Sequence, residues 1–293
     1  MISDFVDSGY DKKDLEEEKI FLSDVENDLK KMGIEFSLIE IKNIEDLKSS
    51  LAKFDKEKIV IFNWAEELYN KPNTGYVITR YFDDNEYKYS GASTENLILA
   101  NDRMLFSSKL ERNGVKVPSQ YELTDEKIKF PVIVKAKHEH GSYGISLKSI
   151  LTNKVGLEEL LKTIDPDKCY GEQFIEGDEY TISVWGHKNP EVLPIFVIKF
   201  ESNRNEKFKI IDYGSKWDRR NKGYEGIYSD IAEGIEKGLE ERLKDTALKA
   251  YKATKCKGFA RFEIRVGGVE NEVPYIIDFN PNPNFRPDSA FLK

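Results

Sequence analysis

The sequence predicts a mixed fold, with an α/β amino-terminal domain followed by an α+β body. Helix and strand signals alternate between residues 14 and 63, strands dominate from Phe130 onward, and one long amphipathic helix precedes two closing strands. The chain has 293 residues, which is more than one compact core usually holds. Two or three packed subdomains are therefore expected.

The α/β prediction rests on the order of elements in the first part of the chain. Residues 14–32 carry apolar side chains at helical spacing and are followed by Gly33, which ends the pattern. Residues 36–41 are predicted as a strand and residues 44–54 as a helix. The apolar run at 58–63 is typical of a buried parallel strand. No Rossmann glycine fingerprint accompanies these elements, so a dinucleotide site is not expected here.

The α+β prediction rests on the pattern after Ser90. Helices are expected at 94–100, 103–113, 155–163 and 231–255. Strands are expected at 131–136, 144–148, 169–174, 180–185, 195–200, 258–266 and 274–279.

Composition excludes several classes of protein. Hydrophobic residues make up 39% and charged residues 33%, and no apolar run approaches the roughly 20 residues of a membrane-spanning helix. The net charge of −8 argues against non-specific binding of nucleic acid. Cys169 and Cys256 fit no metal-ligand spacing and are expected as free thiols in a reducing compartment. Because the first residues lack a signal-peptide pattern, a cytoplasmic protein with no membrane or nucleic-acid partner is expected.

Two strands near the carboxyl end carry acids and an amide on alternating positions. Glu263 shares a strand face with Arg261 and Arg265, and Asp278 shares one with Asn280. If the two strands pair, these side chains converge as the hard oxygen ligands that Mg²⁺ prefers. The alternative is two ordinary amphipathic strands whose acids face solvent.

Two upstream segments have features of a nucleotide site. The strand ending at Lys135 leads into a loop containing Gly141 and Gly144, whose backbone N–H groups and lysine suit phosphate. In residues 172–180 a predicted strand runs into a turn with carboxylates on both sides. A purine nucleoside needs two backbone hydrogen bonds, an apolar sandwich and an acid for its ribose hydroxyls, and this segment offers candidates for each. Taken singly, each segment is also compatible with an ordinary hairpin or turn, and the roles of His138 and His140 stay open.

The order of these segments resembles the ATP-grasp superfamily, and most of all its D-alanine–D-alanine ligase branch. The segments that carry the resemblance are Phe130–Lys135 with Gly141–Ile145, Glu172–Gly177, Asp212–Lys216, Cys256–Glu263, and Ile277–Pro283 with Ser289 beyond. The resemblance runs from about Tyr89 to the end of the chain. It implies an ATP-grasp fold in which two α+β subdomains sandwich ATP. The expected divisions are an amino-terminal domain at 1–91, a central subdomain with the phosphate loop at 92–178, and a carboxyl-terminal subdomain with the metal site at 179–293.

The resemblance also implies roles for individual residues. Nucleotide binding is expected of Arg103, Lys135, Glu139, Gly141, Ser142, Glu172, Phe174, Ile175, Glu179 and Lys216. Two Mg²⁺ ions, with Mn²⁺ as an alternative, are expected on Glu263, Asp278 and Asn280. Catalytic roles are expected of Arg261, Lys216, Ser142 and Asn284. Substrate contacts are expected of Asn282, Ser289, Arg286 and Trp217.

The implied activity is ATP-dependent ligation of a carboxylate to an amine through an acylphosphate, with release of ADP and phosphate. Small amino acids or peptides are the expected substrates. A ligase for another amino acid or peptide pair, an ATP-grasp kinase and a non-catalytic nucleotide-binding protein are the alternatives. The chain departs from the branch at 63–67, where Asn-Trp-Ala-Glu-Glu replaces a His-Gly motif, and at Trp217, which replaces a tyrosine. The substrate pair, the oligomeric state (a homodimer is one option) and the pathway stay open.

Overall fold

The computed structural model describes residues 2–3, 12–69, 71–138, 144–201, 208–211, 226–268 and 272–283, the first pair and 12–18 through their backbone. The chain divides into two compact units, Met1–Ile98 and Leu99–Lys293. The finer division at residues 91 and 178 stays a prediction. Among the described residues, no helix combines the length and the apolar character needed to cross a lipid bilayer.

The first unit combines helices with a small parallel sheet. Its elements are β1 (Ile2–Ser3), α1 (Lys12–Lys31), β2 (Ile39–Glu40), α2 (Ile44–Leu51) and α3 (Gly75–Asp84). β1 and β2 pair in parallel. Leu47 and Leu51 of α2 and Ile78 and Phe82 of α3 are buried in one core. Helices packed on parallel strands agree with the predicted α/β character.

The strand predicted at 58–63 is wrong. In this run Ile61 makes one isolated parallel bridge, to Tyr89, and Val60 is 72% exposed. The run was predicted from its apolar residues alone. Because only some of them, such as Ile61, enter the core, the segment does not become a strand buried on both faces.

The second unit contains two antiparallel sheets. Its helices, beginning with one that crosses the boundary between the units, are α4 (Thr94–Ala100), α5 (Arg103–Arg112), α6 (Lys154–Leu161) and α7 (Lys237–Thr254). Its strands are β3 (Gln120–Tyr121), β4 (Val132–Ala136), β5 (Ile150–Leu151), β6 (Cys169–Gln173), β7 (Glu179–Gly186), β8 (Glu191–Val192), β9 (Phe196–Phe200), β10 (Ile227–Ile231), β11 (Gly258–Gly267) and β12 (Val273–Asn280). A 4-stranded sheet has the order β3-β6-β4-β5, and a 6-stranded sheet has the order β10-β9-β7-β11-β12 with β8 on β7.

One face of the 6-stranded sheet is covered by α5 and α7. Leu243 of α7 and Ile182 of β7 are fully buried in this core. The ring of Phe279 stacks on Phe106 of α5 at 5.0 Å and on Phe262 at 5.3 Å between centroids. Because side chains alternate along a strand, the polar residues between these apolar ones face the other side of the sheet.

Two boundaries differ from the sequence prediction. The strand predicted at 144–148 is replaced by a 3₁₀ turn at Leu147–Ser149, whose start is capped reciprocally by Ser146 and Ser149. The helix predicted from residue 231 begins at Lys237, where the Glu236 side chain accepts a hydrogen bond from the Leu239 N–H. Ile231 instead pairs with Phe196 at the end of β10.

Candidate functional site

The polar face of the 6-stranded sheet carries rows of side chains set by strand register. Glu263 of β11 lies opposite Asp278 of β12. Arg261 lies opposite Asn280 in the next row. Directly opposed residues of antiparallel strands share a face, with Cβ atoms about 4.5–5.5 Å apart. The structure therefore brings together the predicted metal ligands and the predicted oxyanion-binding arginine.

A β-bulge in β12 makes this arrangement compatible with the core. The register shifts between Glu263 and Ile264, so that Ile264 pairs with Ile276 and Ile277 is the extra residue. Strict alternation would place Ile276 on the same face as Asp278. With the bulge, Ile276 is buried in the core while Asp278 stays on the polar face.

Each carboxylate of the row is already held by a cation. Arg261 Nε donates to Glu263 Oε1 at 2.9 Å, and Thr181 Oγ1 donates to Glu263 Oε2 at 2.6 Å. Arg103 Nη1 donates to Asp278 Oδ1 at 3.1 Å. Asp278 Oδ1 accepts a second bond, from the Phe279 N–H at 3.0 Å. Each Glu263 oxygen accepts one of the bonds above and keeps a second lone pair, because a carboxylate accepts at about four positions. Two carboxylates and an amide oxygen on one face fit the ligand chemistry of Mg²⁺.

The amide oxygen of Asn280 already accepts one hydrogen bond, in the turn after β12. The Asn282 N–H donates to Asn280 Oδ1 at 2.9 Å, which closes the turn that follows β12. Within the described residues no group of three or more histidine, cysteine or acidic side chains could hold a metal ion. A metal site in this row must therefore use the amide of Asn280 or oxygens that a substrate brings.

Arg103 connects the two sheets of the second unit. It is the first residue of α5, and its side chain is buried. Burial alone would lower the pKa of Arg103, but the negative charges of Asp278 and Glu172 outweigh it, and the net pKa is raised. Arg103 therefore stays charged between the acid of β12 and the acid of β6.

The predicted phosphate-binding lysine belongs to a buried polar group. Lys135 of β4 hydrogen-bonds Glu172 Oε1 of the neighbouring β6, and Tyr170 OH donates to Glu172 Oε2 at 3.0 Å. Burial and the nearby Glu172 raise the pKa of Tyr170 well above its usual value, so the phenol stays a donor. All three side chains are satisfied, as buried polar groups must be.

The predicted base-binding segment lies in the linker between β6 and β7. Phe174 and Ile175 are buried, and the Phe174 N–H donates to the Pro131 carbonyl at 3.0 Å. Glu179 opens β7, is also buried, and pairs with Arg265 at 2.9 Å. The structure therefore places Glu172, Phe174, Ile175 and Glu179 along one stretch beside Lys135.

Several predicted site residues lie outside the described residues. They are Glu139, Gly141, Ser142, Lys216, Trp217, Asn284, Arg286 and Ser289. Their proposed roles stay predictions. His138, the last described residue before the gap at 139–143, is exposed, and its Nδ1 lies 3.0 Å from the Asn101 carbonyl oxygen.

Sequence reasoning missed Thr181, Tyr170 and the contacts of Arg265. Thr181 lies two residues after Glu179, and Tyr170 lies two residues before Glu172. In a strand this spacing places each pair on one face. Polar residues at every second position of β6 and β7 were therefore the available signal.

Comparisons with known proteins agree with this geometry. Residues 94–293 match the family described as the carboxyl-terminal part of D-ala D-ala ligase. The chain is 26% identical over 262 residues to the D-alanine–D-alanine ligase of Carboxydothermus hydrogenoformans, covering 84% of this chain and 79% of that relative. The structure resembles the D-alanine–D-alanine ligase of Bacillus anthracis complexed with ATP, with a TM-score of 0.64, 20% identity, and coverage of 89% and 79%.

A further solved structure has the predicted fold by its own description. It is a putative ATP-grasp superfamily protein from Archaeoglobus fulgidus, with a TM-score of 0.61, 13% identity, and coverage of 97% of this chain and 80% of that one. These matches confirm the predicted ATP-grasp fold. Because the matched family covers residues 94–293, from α4 through both sheets, the chain belongs to the D-alanine–D-alanine ligase family of carbon–nitrogen ligases, as the order of its motifs predicted.

Proposed function

We propose that this protein is an ATP-dependent ligase that joins the carboxylate of one small amino acid or peptide to the amine of another. The observation that carries the proposal is the row of Arg261, Glu263, Asp278 and Asn280 on one face of the sheet, with Arg103 ion-paired to Asp278. This row holds both the oxygen ligands and the cations that phosphoryl transfer needs.

ATP is the proposed nucleotide. The similar ligase from Bacillus anthracis is described as complexed with ATP. In this chain, Lys135 is the proposed ligand of the α- and β-phosphates, and the linker at Phe174 and Ile175 is the proposed contact of the base. A buried lysine beside an apolar linker supports this division, since a nucleotide has a charged end and a flat aromatic end.

Glu263, Asp278 and Asn280 would hold Mg²⁺, or Mn²⁺ in its place. When bound, the metal neutralises charge on the phosphate oxygens. Arg261 and Arg103 hold Glu263 and Asp278 in position. Lys216 is the proposed ligand of the γ-phosphate. Glu139, Gly141 and Ser142 are proposed to contact the triphosphate.

The proposed reaction has two steps. An oxygen of the first substrate's carboxylate attacks the γ-phosphorus, the bond from phosphorus to the bridging oxygen breaks, and ADP leaves with an acylphosphate formed. The second substrate's amine then attacks the acyl carbon and loses a proton, and inorganic phosphate leaves. Arg261 would stabilise the tetrahedral oxyanion of the second step, together with the backbone N–H groups of Asn282 and Asn284.

Arg261 favours a ligase over an ATP-grasp kinase. A kinase transfers phosphate to a hydroxyl group and forms no tetrahedral carbon, so it has no oxyanion for this arginine to stabilise. Ser289, Arg286 and Trp217 are the proposed substrate contacts. The substrate pair, the cytoplasmic location and the assembly as a homodimer or otherwise stay predictions.

The first test is phosphate release from Mg²⁺-ATP in the presence of D- and L-amino acids, dipeptides and hydroxy acids, with products identified by mass spectrometry. Release that depends on an acid and an amine, together with an amide product, supports the ligase. A phosphorylated hydroxy acid would indicate the kinase instead. Bound ATP with no release across the panel would favour a non-catalytic nucleotide-binding protein.

Asn280→Ala tests the site within the same assay. We expect turnover to be abolished, because the row loses its amide ligand, while the fold is nearly unchanged. Asn189→Ala, on the exposed turn between β7 and β8, is the matched control and should keep full turnover. Undiminished turnover of Asn280→Ala would contradict the metal assignment.

A further inference from the structure

Arg265 is a buried arginine to which the proposed reaction gives no role. It follows Arg261 and Glu263 on the same face of β11 and lies opposite Glu179 of β7. Only 4% of its surface is exposed. Its Nε donates to Glu179 Oε2 at 3.0 Å, and its Nη1 donates to the Ile175 carbonyl at 3.1 Å.

The same guanidinium reaches two more groups. Its Nη2 donates to the Lys209 carbonyl, and its plane lies over the Phe174 ring, 5.0 Å from the ring centroid. Phe174 in turn makes an edge contact with Phe208 at 5.1 Å. One side chain of the 6-stranded sheet thus holds the linker between the sheets and the segment at 208–211. A planar fork of five donors suits this task, whereas a lysine ammonium cannot reach all of these partners at once.

Backbone hydrogen bonds hold both ends of the linker between β6 and β7, and Arg265 holds its middle at Ile175. At one end the Phe174 N–H is bonded to Pro131, and at the other the Val266 N–H donates to the Asp178 carbonyl at 3.0 Å. The Ile175 carbonyl is turned toward Arg265. Among the described residues, none accepts a hydrogen bond from the Ile175 N–H.

A nearly buried apolar cluster includes Phe174, the residue next to this donor. Ile133, Ile150, Phe174 and Ile210 form one buried cluster. A flat heteroaromatic ring with an acceptor nitrogen at its edge matches an apolar wall beside a single open N–H. The Ile175 N–H belongs to the planar peptide group that joins Phe174 to Ile175. Arg265 contacts a group on each side of that peptide, the Phe174 ring and the Ile175 carbonyl, and so restricts the direction of the N–H.

We propose that Arg265 is a positioning residue for the base end of the nucleotide site, acting through Ile175 and Phe174. This inference rests on the proposed ATP-dependent function and deepens it. It assigns the positioning of the base to the buried pair of Arg265 and Glu179. The row of Arg261, Glu263, Asp278 and Asn280 is proposed to act on the phosphates. Loss of Arg265 should therefore weaken binding of the base without weakening binding of the phosphate chain.

The test compares ATP with inorganic tripolyphosphate, which has the phosphates but no base, by isothermal titration calorimetry in Mg²⁺. Arg265→Lys keeps a positive charge beside Glu179 but loses the fork. We expect its Kd for ATP to rise about three- to tenfold, the worth of roughly one hydrogen bond, with the Kd for tripolyphosphate unchanged. Arg242→Lys is the matched control, because Arg242 pairs with Glu272 on the exposed side of α7, and it should change neither Kd.

A second variant guards against misfolding. Arg265→Met combined with Glu179→Gln removes both buried charges together, so no unpaired charge is left inside. Because Glu179 is itself an expected nucleotide contact, Glu179→Gln alone is the reference, and the double variant should show the same selective loss of ATP affinity relative to it. Equal weakening of ATP and tripolyphosphate, or an unchanged Kd for ATP in the folded Arg265→Lys protein, would overturn the inference. Wild-type protein that binds no ATP would overturn the proposed function itself.

Discussion

Buried charge is the dominant feature at the scale of single residues. Lys135, Glu172, Arg103 and Arg265 are all buried, although such side chains are rarely buried unless paired. Each is paired or hydrogen-bonded within its own unit. Such groups cost solvation free energy, and replacing them by apolar residues is often neutral or stabilising. Their presence here is therefore better explained by binding than by stability.

The pair of Lys135 and Glu172 gives a direct test of this view. Lys135→Met leaves the Glu172 carboxylate buried without its cation, so the free energy of unfolding should fall by about 3–5 kcal/mol. Adding Glu172→Gln removes that charge and should restore most of the loss. Urea denaturation, extrapolated linearly to water, measures both values.

An exposed pair provides the control for that comparison. Lys162 and Glu159 have side chains that are 65% and 66% exposed, so Lys162→Met should change the free energy of unfolding by about 1 kcal/mol or less. If Lys135→Met and the double variant were equally destabilised, the cost would come from lost packing and the account of the uncompensated charge would be wrong.

At the scale of elements, the linker between β6 and β7 is held against β11 by a close backbone contact. Gly177 has φ +151°, and a Cβ atom there would lie 1.8 Å from the Val266 carbonyl oxygen. This oxygen belongs to the backbone of a central strand and cannot move aside. Only glycine therefore lets the linker lie against β11, where Arg265 reaches it.

Gly177→Ala should lower the free energy of unfolding by about 3 kcal/mol or more, because strained backbone and a close contact act together. Gly114→Ala is the matched control. Gly114 also has a positive φ, of +72°, but nothing lies within 4 Å of the added Cβ, so only the left-handed conformation costs, by about 1–2 kcal/mol. Chemical denaturation of both variants checks this, and equal losses would contradict the close contact.

An element could be predicted where the pattern of its own residues determines its structure, and not where contacts with distant segments determine it. The bounds of β7, β11 and β12 were predicted within a residue or two. Strands of a sheet with one covered face alternate apolar and polar residues, and this alternation is visible in the sequence. The bulge at Ile277 was not predicted, since it appears only when the register with β11 is known. Helix α3 was missed because its Tyr-Val-Ile-Thr run has the composition of a strand.

The same reasoning separates the predictable part of the site from the rest. Glu263, Asp278 and Asn280 were predicted to converge, because strand pairing of the two alternating segments suffices to bring them together. The pairing of Arg103 with Asp278 was not, since it joins residues 175 positions apart in sequence. Such contacts depend on how α5 packs on the sheet, which no local pattern encodes.

At the scale of the whole molecule, each of the two compact units has a core of its own. The first is built around Ile41, Leu47 and Phe82, and the second has its main cluster between α5, α7 and the 6-stranded sheet. The described residues of the candidate site from Arg103 to Asn282 all lie in the second unit. Nucleotide binding by the second unit is therefore expected to be separable from the first unit.

A fragment spanning residues 94–293, the part that matches the family, tests this separation. Because its clusters need no residue of the first unit, it should unfold cooperatively and bind Mg²⁺-ATP within a few fold of the full chain, as circular dichroism and calorimetry would measure. The fragment lacks residues 63–67, where the chain departs from the motif of the ligase branch, so its phosphate release relative to the full chain measures what those residues contribute to ligation. A fragment that folds but has lost ATP affinity would mean that the first unit contributes to the nucleotide site, and a fully active fragment would mean that residues 63–67 play no part in ligation.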